Sequence, residues 1–121
     1  MNRAVRAVLA FAAVVGVGGA TAAPATASAD PQECRGGYLC LYSGIGYTGH
    51  LWMKSRCGFY NIGLEGWSDR VRSYRNLQST GTVSIFMQWD GATWVELGRS
   101  TASEEVYDAT SIYATDGVWV C

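Results

Sequence analysis

The stretch Tyr42-Ser43-Gly44-Ile45-Gly46-Tyr47-Thr48-Gly49 decides the fold of this 121-residue chain. Its glycines have the Gly-x-Gly-x-x-Gly spacing of a dinucleotide-binding turn, which needs a helix to follow and to present its N-terminus to the pyrophosphate. The next residues, His50-Leu51-Trp52-Met53-Lys54, instead alternate between polar and apolar side chains and predict a strand. The glycines therefore indicate a tight β-hairpin, because glycine adopts positive φ without steric cost.

Short alternating runs of this kind dominate the chain after residue 30, and no ten-residue stretch there sustains a helical apolar period. Clusters of Gly, Ser, Asn and Asp separate the runs, and Asp90-Gly91 is typical of a hairpin turn. The pattern predicts an all-β fold, as a sandwich or small barrel. The predicted strands are 38–42, 50–54, 71–75, 82–88, 94–98, 111–114 and 118–121.

Residues 1–29 have the pattern of a secretory signal peptide. Arg3 and Arg6 form a basic start, an apolar segment follows, and Ala27-Ser28-Ala29 is a small-residue cleavage site. A membrane anchor is the alternative, but Pro24 interrupts an Ala- and Gly-rich segment well short of about 20 strongly apolar residues. We expect a secreted, extracellular mature domain over residues 30–121, with no membrane association after cleavage.

The charge balance gives no indication of nucleic-acid binding, because the chain has 9 basic and 10 acidic residues and no basic stripe. Charge is nevertheless uneven along the sequence. Residues 30–75 carry six basic and four acidic side chains, whereas residues 76–121 carry one basic and six acidic side chains. The first half therefore has the composition of a basic face, or of ordinary solvated strand residues.

The four cysteines, Cys34, Cys40, Cys57 and Cys121, predict structural disulfides in a small exported domain. Three pairings are possible, and their spacing does not select one. Zinc binding is the weaker alternative, because there is no Cys-x-x-Cys pair and a single histidine, His50.

The hairpin motif resembles the Greek-key signature of βγ-crystallins. Tyr42-x4-Tyr47-x-Gly49 is followed about 25 residues later by Ser73. The resemblance implies that Tyr47 packs on a folded hairpin, that Gly49 has a conformation closed to other residues, and that Ser73 bonds back to the hairpin. A single disulfide-stabilised domain of two Greek-key motifs, forming a small sandwich, is the implied fold.

The second motif is less regular. Residues 108–113 resemble residues 69–74 but have one residue fewer between the aspartate and the serine, and the second hairpin, 89–94, lacks the aromatic-x-Gly pattern.

A closer resemblance rests on Cys34-x5-Cys40-Leu41-Tyr42, Gly66-Trp67-Ser68-Asp69 and Ser73-Tyr74-x-Asn76. These segments are similar to secreted bacterial proteins of the Streptomyces metalloproteinase inhibitor type, peptidase inhibitor family thirty-six. The resemblance implies an extracellular peptidase as partner. Both disulfides of the founding inhibitor are local, which favours a Cys34–Cys40 pair. Its later local pair, which holds the protease-facing loop, has no counterpart here between Asn76 and Val120, so no reactive-site residue is carried over.

A calcium site is the family feature that this sequence retains least. The six-residue calcium motif of microbial crystallin domains aligns with residues 68–73, where Asp69 remains as a vestigial ligand. Ser68 replaces a carboxylate or amide, and Arg72 replaces a ligating hydroxyl with a guanidinium that repels a cation. We expect no metal and no cofactor.

Catalytic residues are not expected either. His50 is the single candidate base, and the cysteines are expected to be bridged. Glu104 and Glu105 are adjacent, so on an extended chain they point to opposite faces.

The sequence therefore predicts a monomeric, non-enzymatic inhibitor of an extracellular peptidase, acting through a rigid loop at 58–68 or 88–93. One alternative is an envelope-polysaccharide-binding module, with exposed Trp89 and Trp94 as partner-binding residues. Another is a structural crystallin-like protein with vestigial calcium sites.

Overall fold

Two four-stranded antiparallel sheets form a sandwich, which confirms the predicted all-β class. The structure is a computed structural model and describes residues 33–121, so the predicted signal peptide at 1–29 lies outside the described residues. No helix within that described part is long and apolar enough to cross a membrane. The strands are β1 (Leu39–Gly44), β2 (Thr48–Lys54), β3 (Phe59–Tyr60), β4 (Ser73–Asn76), β5 (Val83–Trp89), β6 (Trp94–Thr101), β7 (Glu105–Val106) and β8 (Gly117–Trp119).

Each half of the chain contributes one strand to the sheet of the other half. The first sheet has the order β2-β1-β4-β7 and the second has the order β3-β8-β5-β6. The short strand β3 thus pairs with β8, and β7 pairs with β4. This exchange joins the two halves into one domain.

Two segments differ from the sequence-based prediction. Residues 111–114 were predicted as a strand, and this is wrong: Thr110–Ile112 is a 3-10 turn. The Ile112 N–H donates to the Ala109 carbonyl at 2.9 Å, which closes this turn, and Ile112 is buried in the core. The backbone N–H of Thr115 and its hydroxyl both donate to the Ile112 carbonyl, at 3.1 and 2.6 Å, and form the next turn. The predicted loop 58–68 contains β3 and a second 3-10 turn, Ile62–Glu65.

The core lies between the sheets. In β5, Ser84 and Phe86 point inward, and Phe86 packs against Tyr74 of the opposite sheet with ring centroids 4.8 Å apart. The buried residues of this core are Leu39, Leu41, Trp52, Ile62, Trp67, Val71, Tyr74, Phe86, Ala109, Ile112, Val118 and Val120.

Two disulfides hold the domain at different ranges. Cys34 is bonded to Cys40, six residues along the chain, and Cys57 is bonded to Cys121, 64 residues along the chain. The first bond anchors the segment before β1. The second fixes the segment before β3 to the end of the chain beyond β8.

Candidate functional site

The β1–β2 hairpin is folded back and held by Ser73. The Ser73 hydroxyl accepts a hydrogen bond from the Tyr47 backbone N–H at 2.9 Å and donates one to the Gly44 carbonyl at 2.6 Å. Tyr47 has a φ of +63°, and its ring contacts that of Tyr42 edge-on at 5.7 Å. Because positive φ is unfavourable for a tyrosine, these contacts are what keep the hairpin in its folded form.

Gly49 of the same hairpin has a φ of +81°, and a Cβ atom there would lie 2.4 Å from the Ser43 hydroxyl oxygen. Both the backbone conformation and the lack of space favour glycine at this position. The four motif residues therefore have a structural role in the described domain.

Two arginines of the first half, Arg72 and Arg75, stack closely on aromatic rings. The guanidinium of Arg72 lies 4.2 Å from the ring centroid of Tyr113, and that of Arg75 lies 4.2 Å from the ring centroid of Tyr47. Arg75 also pairs with Glu105 at 2.9 Å. The contacts of Arg72 with Tyr113 and of Arg75 with Glu105 join the two halves of the chain. These two cations therefore have a structural role, which argues against a basic face for binding a partner.

One end of the sandwich brings the two predicted loops together around a cleft of about 600 Å³. The first wall belongs to the segment 61–69 and the second to the segment 88–94. Residues lining the cleft are Asn61, Gly63, Leu64, Ser68, Asp69, Gln88, Trp89, Trp94 and Asp116.

Asp116 connects the walls of this cleft. Its carboxylate accepts hydrogen bonds from the Ser68 hydroxyl and from the Trp89 backbone N–H, the latter at 2.9 Å. Its backbone carbonyl accepts the Gly63 N–H at 2.9 Å, and its own N–H donates to the Met87 carbonyl at 2.8 Å. No local motif marks Asp116 in the sequence, because its hydrogen-bond partners lie 27 or more residues away along the chain.

Leu64 projects from the first wall with 85% of its surface exposed. The turn that carries it, residues 61–67 (the Leu64 turn), is anchored on both sides by buried Ile62 and Trp67, and the Trp67 N–H donates to the Ile62 carbonyl at 2.9 Å. Glu65 accepts a hydrogen bond from the indole N–H of Trp52 at 3.1 Å. A large apolar side chain is thus presented to solvent on a braced turn.

The second wall is the tight β5–β6 hairpin, residues 89–94 (the 89–94 hairpin). The Asp90 carboxylate accepts the backbone N–H groups of Ala92 and Thr93, each at 2.8 Å. These backbone donors, Thr93 first and Ala92 second, lower the pKa of Asp90 below its usual value. Trp89 is 46% exposed, and its ring centroid lies 5.3 Å from that of half-buried Trp94.

An aromatic row leads away from the cleft across the outer face of the second sheet. Trp94 contacts Phe59 at 4.9 Å between centroids, and Phe59 contacts Trp119 at 5.3 Å. Gly117 lies beneath the inner two rings, since a Cβ atom there would be 2.6 Å from Phe59 and 2.8 Å from Trp94. Phe59 therefore supports Trp94, and with it the cleft wall, from behind, whereas Trp119 contacts neither Trp94 nor Trp89 in the described residues.

Asp69 and His50, the remaining sequence candidates, are both exposed and belong to no metal-binding group within the described residues. Asp69 is exposed on the cleft wall with a φ of +56°. In residues 33–121, no group of three or more His, Cys, Asp or Glu side chains is placed to hold a metal ion. His50 is exposed on β2, and its backbone N–H donates to the Ser43 hydroxyl at 2.8 Å.

Comparisons with known proteins agree with this architecture. The family model of peptidase inhibitor family I36 matches residues 27–97, which is more than half of the chain. No curated protein matches the chain.

Solved structures with the same fold are βγ-crystallin domains. A βγ-crystallin domain from Clostridium beijerinckii is similar at 14% identity and a TM-score of 0.52, covering 69% of this chain and 99% of that one. A structure from work on the evolution of the eye-lens βγ-crystallin domain fold gives 18% identity, a TM-score of 0.52, and 74% and 91% coverage. The predicted βγ-crystallin-like fold is confirmed.

Proposed function

The chain belongs to peptidase inhibitor family I36, and on that premise we propose that it is a secreted, non-enzymatic protein that inhibits an extracellular peptidase through the Leu64 turn and the 89–94 hairpin. The observation that carries this proposal is the convergence of the two loops at one end of the sandwich. They lie on different halves of the chain, and Asp116 bonds to both.

Rigidity of the contact surface supports inhibition. A loop that is ordered before binding loses little conformational entropy when it docks. The Leu64 turn is held by its buried flanking residues, and the 89–94 hairpin is held by four hydrogen bonds that involve Asp90. Both elements are thus ordered in the free protein.

Leu64 is the residue that we assign to the enzyme's apolar pocket. An exposed leucine on a convex, ordered turn fits a concave apolar subsite, and burying such a side chain contributes about 1.5–3 kcal/mol. Because residues 62–65 form a 3-10 turn, their backbone is not extended as in a peptide substrate. Leu64 therefore fills the substrate cleft of the peptidase with its side chain, and no extended peptide bond is presented for cleavage.

We expect the mature chain to be secreted and to act as a monomer. The two disulfides are compatible with an oxidising, extracellular compartment. The proposal includes cleavage of residues 1–29, an extracellular peptidase as the partner, and no nucleic acid, membrane or cofactor. The alternative of a calcium-stabilised structural protein has no contact in the described residues that favours it.

A peptidase panel tests the proposal. The oxidised chain 30–121 is added at micromolar concentration to secreted metallo- and serine peptidases, and residual hydrolysis of peptide substrates is measured. We expect saturable inhibition of at least one enzyme. Full activity of every enzyme in the panel would remove the proposal.

A further inference from the structure

We propose that the cleft between the Leu64 turn and the 89–94 hairpin binds a neutral saccharide, such as the end of a polysaccharide chain. This function goes beyond peptidase inhibition, although the two sites adjoin: Leu64, which we assign to the peptidase contact, also lines the cleft that takes the saccharide. The proposal stands on the cleft's dimensions, its aromatic wall, its polar groups and its charge.

The cleft has the size of a small-molecule site. Ligand-binding clefts in proteins have volumes of about 300–1,000 Å³, and this one measures about 600 Å³. A cleft of that size has room for about one or two sugar rings.

Trp89 supplies an apolar wall within reach of solvent. It is 46% exposed, while Trp94 packs against it at 5.3 Å and is itself supported by Phe59 at 4.9 Å. The C–H groups on the face of a pyranose carry partial positive charge and stack on the electron-rich face of an indole. Contact with Trp94 restricts the Trp89 ring, so stacking on a sugar orders little that is not already ordered.

Polar side chains surround this wall with the groups that sugar hydroxyls require. Asn61 and Gln88 carry amides that both donate and accept, and the carboxylates of Asp69 and Asp116 accept. Each oxygen of Asp116 already receives one protein donor, from Ser68 and from the Trp89 backbone, which fixes the carboxylate's orientation. Each oxygen also keeps a further acceptor site, because a carboxylate offers about four in all.

Charge selects a neutral ligand. The lining contains two aspartates and no lysine, arginine or histidine. Phosphorylated or uronic-acid ligands would meet like charge there, since nearby carboxylates repel anions. A hydroxyl-rich, uncharged ligand with an apolar face fits this combination.

Affinity electrophoresis tests the proposal on the oxidised chain 30–121. Native gels contain hydroxyethyl cellulose, laminarin or galactomannan as neutral probes, and alginate as the anionic probe. We expect retardation in at least one neutral gel and none in alginate. Trp89→Ala is expected to weaken the retention about tenfold, which corresponds to about 1.4 kcal/mol, and Asp69→Ala to weaken it by a smaller factor.

Trp119→Ala is the matched control. Trp119 is 43% exposed but lies at the far end of the aromatic row, outside the cleft. Circular dichroism establishes that each variant is folded. Three results would overturn the proposal: no retardation in any neutral gel, equal retardation in alginate, or equal losses in the Trp89 and Trp119 variants. Peptidase assays on the same samples distinguish this failure from failure of the inhibitor proposal.

Discussion

The carboxylate of Asp116 accepts the backbone N–H of Trp89 at 2.9 Å, and it does so across 27 residues of chain. Through the same residue, the Leu64 turn and the 89–94 hairpin become parts of one surface, because the Asp116 carbonyl also accepts the Gly63 N–H. The proposed functional end of the domain therefore depends on the hydrogen bonds of one half-buried residue in the cleft wall.

Asp116→Ala is expected to loosen the start of the 89–94 hairpin. The substitution removes the acceptor for the Trp89 N–H and for the Ser68 hydroxyl, and because both bonds are exposed to water it should lower the unfolding free energy by about 0.5–1.5 kcal/mol. NMR-detected hydrogen exchange should show faster exchange at the Trp89 amide. Asp116→Asn keeps one acceptor oxygen, so its Trp89 amide should exchange at a rate between those of the parent chain and Asp116→Ala. An unchanged Trp89 exchange rate in Asp116→Ala would contradict this role.

Ser73→Ala should destabilise the whole domain. It leaves the Tyr47 N–H and the Gly44 carbonyl without their hydroxyl partner inside the folded hairpin, and we expect a loss of about 2–3 kcal/mol in unfolding free energy. Chemical denaturation measures the loss. Ser55→Ala is the matched control, because Ser55 is exposed, and it should change stability by less than about 0.5 kcal/mol. Equal stability of the two variants would show that Ser73 does not hold the hairpin.

The two disulfides should contribute unequally. The loop-entropy relation gives about 4 kcal/mol for the 64-residue separation of Cys57 and Cys121 and about 2 kcal/mol for the six-residue separation of Cys34 and Cys40. Denaturant unfolding of the two double Cys→Ala variants measures this difference. A greater loss from the short-loop variant would mean that the burial of Cys40, and not loop length, sets its contribution.

The 89–94 hairpin should respond to acid. Backbone donation from Thr93 and Ala92 holds the pKa of Asp90 below its usual value of about 3.9. The stabilisation is therefore present at neutral pH, and it is lost as pH falls below about 3.9 and through the lowered pKa. The amide shifts of Ala92 and Thr93, followed by NMR from pH 6 to pH 2, should titrate together with a midpoint below 3.9.

Asp90→Asn provides the control for this titration. An asparagine keeps an acceptor oxygen but does not ionise, so the two amides should show no such step in the variant. A midpoint above about 3.9 in the parent chain would contradict the hydrogen-bonded arrangement.

Local patterns were sufficient to predict the strands whose side chains alternate. Four strands coincide with sequence runs in which polar and apolar side chains alternate, or that lie beside a glycine-containing turn: β1, β2, β5 and β6. Asp90-Gly91 lies in the hairpin between β5 and β6. The family motif likewise placed Ser73 next to a hairpin 26 residues earlier. These features are encoded within a few residues of one another, or in a spacing that the family shares.

Features that arise from distant pairing could not be predicted. β3 and β7 are two residues each and exist because they pair with β8 and β4 of the other half. Ile112 alternates with polar neighbours as in a strand, but the hydrogen bonds of Thr115 close a turn there. The cleft could not be predicted either. Both of its loops were predicted, but they come together through hydrogen bonds to Asp116, which is distant from both in sequence.

The inhibition constant of Leu64→Ala, relative to the parent chain, tests the central claim most directly. The measurement uses the peptidase that the parent chain inhibits most strongly, with Val83→Ala as control, because Val83 is 37% exposed at the start of β5, away from the cleft. We predict an inhibition constant at least about tenfold weaker for Leu64→Ala and within about twofold of the parent for Val83→Ala. Equal inhibition by all three proteins, or no inhibition by the parent chain, would contradict the account.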